Sequence, residues 1–168
     1  AYNLGIGDSD DGSGAADRTL FAAMTNPPAS VYGGILSCTS PINTGPHTYV
    51  LRAALATLDS WVRTGDAPAS RPLLEIADGA FVLDAKGNVR GGIRTPQVDV
   101  PVAVLSGLGQ SGSAFCGLFG TTVVPPPAAF ASWAMPSGRP AFDRAWIAAL
   151  DDAVARGDIL EPDAVHLL

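Results

Sequence analysis

The chain has 168 residues, 47% of them hydrophobic, with a formal charge of −6 and a sequence pI near 4.6. That length and apolar content suffice for one packed core, so residues 1–168 read as a single globular unit. The acidic balance excludes nucleic acid and anionic membrane as partners, because no basic stripe is present to neutralise phosphates, and no apolar run approaches the roughly 18 residues needed to span a bilayer.

Residues 1–14 read as an acidic, glycine-rich loop around "GIGDSDDGSG". Asp8, Asp10 and Gly12 suggest calcium, but the third ligand and the turn glycine of an EF-hand loop are missing, and Thr19 stands where the closing carboxylate would be. No metal is expected. Residues 15–25 suit a short helix stopped by Asn26-Pro27-Pro28. The clearest helix follows at "HTYVLRAALATLDSWVRTG", where Val50, Leu51, Ala54, Leu55, Leu58, Trp61 and Val62 fall on one wide apolar stripe. Thr44 is the expected cap, Pro46 suits the first turn and Gly65 suits the C-terminal stop. Such a stripe must bury against something.

The middle of the chain is β-rich. "LLEIA" and "AFVLD" read as short strands, "DAKGN" as a turn, and "VDVPVAVLS" as a strand interrupted by Pro101. A proline-rich connection at 125–139 leads to a second amphipathic helix, "PAFDRAWIAALDDAVARG", whose apolar side carries Phe142, Trp146, Leu150 and Ala153 and which ends at Gly157. Pro162 opens one more helical turn.

The stretch "PVAVLSGLGQSGSAFCGLFG" at 101–120 contains Gly107-x-Gly109-x-x-Gly112, the pattern of a dinucleotide cradle. That cradle needs a helix after the glycines and an acidic residue about 20 positions on, whereas Gly117, Gly120 and β-branched residues follow, and the next acid is Asp143. The same stretch falls one residue short of a nucleophile elbow, because Ser113 occupies a position that the sharp turn reserves for glycine. It reads as a glycine-serine loop, and no cofactor is expected. His47, just ahead of the long helix, is the candidate catalytic base, with Ser111 its one conceivable in-chain nucleophile; His166 reads as a surface residue. Cys38 and Cys116 match no metal spacing and are either a disulfide or two buried thiols.

"CTSPINTGPHTYVLRAALATLDSWVRTG", "DAKGNVRGGIRTPQVDVPVAVLSG", "FCGLFGTTV" and "ARGDILEPDAVHLL" occur in an order that resembles the C-terminal part of a bacterial family of α/β-hydrolase domain proteins. The landmarks are Pro-Ile-Asn before the helix, Gly-Asn-x-x-Gly-Gly-Ile-Arg-x-Pro, and Val-Pro. The resemblance implies an α/β fold of which this chain is the C-terminal portion, with the late helix packing on the central sheet beside a β-rich segment and a C-terminal helix.

It also implies a serine ester hydrolase working through an acyl-enzyme, with the Ser far upstream and the His just ahead of Tyr2. The expected partners are then an N-terminal hydrolase chain carrying the nucleophile and a small-molecule ester. Tyr2, Phe115 and Phe119 are candidate pocket-lining residues. A secreted or periplasmic location suits the composition, with the cytoplasm the other option. The alternative is a non-catalytic binding or structural domain derived from the same fold.

Overall fold

The computed structural model describes residues 29–31 and 36–168. The acidic loop at 1–14, the short helix at 15–25 and Tyr2 lie outside the described residues.

The first ladder pairs β1 (Ser30–Val31) with β2 (Leu36–Ser37), antiparallel. Helix α1 spans His47–Thr64 and stops at Gly65, whose φ of +80° lets its N–H return to the Trp61 carbonyl. Pro46, not Thr44, occupies the N-cap position and offers no side-chain cap. Thr44 is drawn inward instead: its N–H donates to Thr122 Oγ1 at 3.1 Å.

The apolar stripe of α1 lies in the open. Ala53 is the buried residue of the helix, whereas Leu51, Leu55 and Leu58 are about half exposed and Val62 is 78% exposed. The expected packing on a sheet is therefore not what the described residues display. The first turns of α1 meet the C-terminal helices, through Tyr49 against Leu150, Ala153, Ile159 and Leu167 and through an Arg52–Asp163 ion pair at 3.0 Å. The reason is that the sheets among the described residues are two-stranded ladders, and none is broad enough to lie under a five-turn helix.

β3 (Ile76–Ala77) and β4 (Ala80–Phe81) form a hairpin with Ile76 opposite Phe81. Backbone hydrogen bonds from Glu75 to Arg90 and from Arg90 to Val82 extend it into a meander with residues 88–92. Strand alternation places Leu74, Ile76, Phe81 and Leu83 on one face, and all four are exposed. The strand expected at "VDVPVAVLS" is shorter than its composition suggests. Thr95-Pro96 starts a single helical turn, α2 (Pro96–Asp99), because proline has no N–H to lose at the first helical position. Only beyond Pro101 does β5 (Val104–Ser106) begin, pairing antiparallel with β6 (Thr121–Val123).

The proline-rich connection at 125–139 also contains order. Pro127 occupies the first turn of α3 (Pro127–Ala134), so the triple proline opens a helix rather than preventing one. Helix α4 (Arg139–Ala155) runs as its periodicity predicts, burying Leu150 and Ala153. The chain closes with α5 (Glu161–Ala164) and a 3-10 turn at Val165–Leu167. Val102 and Ala134 form a second small core with Phe130, Trp133, Met135, Phe142 and Trp146 around them. The meander and the C-terminal helices are tied by ions: buried Asp158 accepts from Arg71 Nε at 2.6 Å and from Arg156 Nε at 2.9 Å, and Arg156 donates to the Arg94 carbonyl.

Candidate functional site

The segment at 38–45, the β5–β6 pair and the loop between them build the most highly connected polar region. β6 is flanked by extended chain: Thr122 N–H donates to the Pro41 carbonyl and Asn43 N–H to the Phe119 carbonyl. Thr122 Oγ1 donates to the Ile42 carbonyl at 2.7 Å. Among the described residues the outer side of β5 meets a side-chain amide rather than a strand: Asn88 Oδ1 accepts the Leu105 N–H at 2.9 Å. Unpaired backbone groups at a sheet edge are costly when buried, so this amide stands in for a neighbouring strand. From the side of β6, Asn43 Nδ2 donates to the Ser106 carbonyl at 3.0 Å.

Between the strands, residues 110–120 form a compact loop with its ends held together. Gln110 uses all four positions of its amide. Nε2 donates to the Ser40 and Gly120 carbonyls, each at 2.9 Å, while Oε1 accepts from the N–H groups of Ser40 and Ser111, each at 3.1 Å. The tip of the loop lies along residues 37–39: Thr39 N–H donates to the Ser111 carbonyl, Ser113 N–H to the Ser37 carbonyl, and Cys38 joins Cys116 in a disulfide.

The glycines of the stretch now have a physical explanation. A Cβ on Gly112, at φ +119°, would stand 2.7 Å from the Ser37 carbonyl oxygen, and one on Gly120, at φ +59°, would stand 2.1 Å from that of Ser106. They are places where two backbones touch, which fits neither a phosphate cradle nor an elbow. The 3-10 turn at Cys116–Leu118 is three residues long, so no helix N-terminus follows the glycines.

The candidate residues are placed as follows. Ser111 donates its hydroxyl to Thr39 Oγ1 at 2.9 Å. His47 is exposed at the first residue of α1, and His166 sits partly buried in the last 3-10 turn. Phe119 is a core residue, 7% exposed and packed with Ile42 and Cys38, whereas Phe115 is 60% exposed on the loop tip beside Leu118. Tyr2 lies outside the described residues. Among the described residues no group of His, Cys, Asp or Glu is arranged to hold a metal ion, and no helix is long and apolar enough to cross a membrane.

Reading the sequence missed the structural amides Asn43, Asn88 and Gln110. Their signal was present, since Asn43 closes Pro-Ile-Asn and Asn88 follows the turn glycine in Gly-Asn-x-x-Gly-Gly, two of the landmarks that carried the resemblance. In this structure the two asparagines of those landmarks bond to the backbone of β5.

Comparison with known proteins agrees with that kinship. No curated protein matches the chain, and no solved structure does. A family model described as an alpha/beta hydrolase domain matches residues 9–168, nearly the whole sequence, and the chain belongs to that family.

Proposed function

We propose that this chain is the C-terminal part of a serine ester hydrolase and acts together with an N-terminal part that carries the nucleophilic serine and its histidine. The observation that carries this reading is the open apolar stripe of α1, with Leu51, Leu55, Leu58, Trp61 and Val62 all exposed. An α/β-hydrolase sheet is covered by helices on both faces, and a stripe of this width exceeds what a lone soluble domain ordinarily leaves to water. Supplied with a sheet, α1 becomes a covering helix.

In the assembled enzyme the serine attacks the ester carbonyl, the histidine takes the proton and returns it to the leaving alcohol, and backbone N–H groups stabilise the oxyanion. This chain contributes to the pocket wall, with Phe115 at its rim; His47 stays outside the proton relay. The Cys38–Cys116 disulfide supports an exported location, since such bonds persist in oxidising compartments.

Native mass spectrometry of the purified material, followed by fluorophosphonate labelling, tests the proposal. The expected result is a complex containing a second, different chain that takes the label. A 17.1 kDa species alone, folded and unlabelled, would replace the enzyme with a non-catalytic domain of the same fold. Label on Ser111 would place catalysis inside this chain.

A further inference from the structure

We infer that the Cys38–Cys116 disulfide is a thiol-operated latch on the loop at 110–120, opened by attack on Cys38 with Cys116 as the leaving sulfur.

The two sulfurs are not equivalent. Cys116 is completely buried, while Cys38 is only partly buried. Cys38 is therefore the less enclosed half of the bond, the half an incoming thiolate would meet, and access selects which sulfur is attacked. The surroundings of Cys116 suit a leaving group. The Ser113 hydroxyl lies 3.2 Å from its Sγ and can donate to a thiolate formed there, which lowers the cost of a charge in a buried place. On the other side the Ser37 carbonyl lies 3.4 Å from the same sulfur. It gains nothing from a disulfide, which has no S–H, but it accepts from the protonated thiol. The pocket of Cys116 thus contains a partner for the thiolate and one for the thiol that reduction would form.

The chemistry balances with a small thiol such as glutathione as reductant. Its thiolate attacks Cys38 Sγ, a mixed disulfide forms on Cys38, the Sγ–Sγ bond breaks, and the electron pair leaves on Cys116. A second thiol attacks the glutathione sulfur of the mixed disulfide, releasing oxidised glutathione and the Cys38 thiolate. The two protons of the consumed thiols end on the two cysteines.

What opens is defined by the loop's other fastenings. Gln110 bonds to Gly120 and closes the neck without help from the disulfide. Ser113 N–H is bonded to the Ser37 carbonyl and the Asn43 N–H to the Phe119 carbonyl, and Phe119 is in the core, so the tip that depends on the disulfide is 114–118, which carries the exposed Phe115 and Leu118. Reduction frees the tip and its two apolar side chains and leaves the neck and the β5–β6 pair in place. In a thiol-rich compartment the tip is loose, and after transfer to an oxidising one it is fixed.

The test uses the full oxidised chain. Brief treatment with glutathione, acid quenching, alkylation and peptide mass analysis should find the glutathione adduct on Cys38 and the alkyl group on Cys116. An adduct on Cys116, or no reaction until denaturant is added, would overturn the proposal. Ser113→Ala should slow reduction about fivefold, the loss of one hydrogen bond to the leaving sulfur, and Ser113→Thr should restore the rate. An unchanged rate in Ser113→Ala would remove that residue's role. Hydrogen exchange on the reduced chain at short labelling times should be at least about tenfold faster at 114–118, with β5 and β6 still protected. Global loss of protection would mean that the bond is a structural staple and not a latch.

Discussion

Asn88 Oδ1 accepts the Leu105 N–H at 2.9 Å, across 17 residues of sequence, so a turn residue completes the edge of β5. The Asn88 side chain is only 1% exposed, and water cannot take its place. Asn88→Ala should lower stability by about 2 kcal/mol, the cost of leaving a buried donor unmet. Urea denaturation of the oxidised chain measures this; a loss under about 0.5 kcal/mol, the range of ordinary surface substitutions, would show that β5 does not depend on this residue.

Gly120→Ala tests the contact of two backbones at the loop neck. The added Cβ would lie 2.1 Å from the Ser106 carbonyl oxygen at a φ of +59°, so β5 and β6 must separate at their Ser106–Thr121 end. The expected loss exceeds the roughly 1 kcal/mol of a simple strained backbone, and thermal unfolding of the purified variant reads it directly.

Asp158 is held by two arginines while its own side chain is 3% exposed. Asp158→Ala leaves both guanidinium groups without their shared anion, although Arg71 and Arg156 keep some contact with water. A loss of about 2 kcal/mol is expected, below the full figure for a wholly buried pair. If Arg71→Ala in the same background adds a similar further loss, the two residues act independently and the network description is wrong.

Leu55→Glu with Val62→Glu separates folding from association. Both positions are exposed, so the isolated chain should keep its melting temperature to within a degree or two. The pair should nevertheless abolish a complex with the N-terminal part, seen as the chain running alone in size-exclusion chromatography. A complex that survives both charges would move the contact off α1.

The two long helices were legible in the sequence because periodicity is a local signal: the stripe from Val50 to Val62 and the face carrying Phe142, Trp146 and Leu150 are written in consecutive turns. The burial of α1 was not legible, since a pattern records which side is apolar and not whether a partner is within the same chain. Strand length was misjudged at "VDVPVAVLS" because β-branched residues outweighed Pro96, whose position after Thr95 favours a helical start. The polar bracket around β5 escaped notice for another reason. Asn43, Asn88 and Gln110 act over 63, 17 and 70 residues respectively, distances at which one sequence has no periodicity to reveal.

The docking of α1 also sets an order of events in synthesis. Tyr49 packs in the cluster that contains Leu167, and Arg52 pairs with Asp163 across 111 residues. The first turns of α1 therefore emerge from the ribosome long before the surface that receives them. Until the residues that form this cluster have been added, Tyr49 and Arg52 lack the surface that receives them, and the helix is open to chaperones and to aggregation. Leu167 is the last member of the cluster to be made, after Leu150, Ala153 and Ile159.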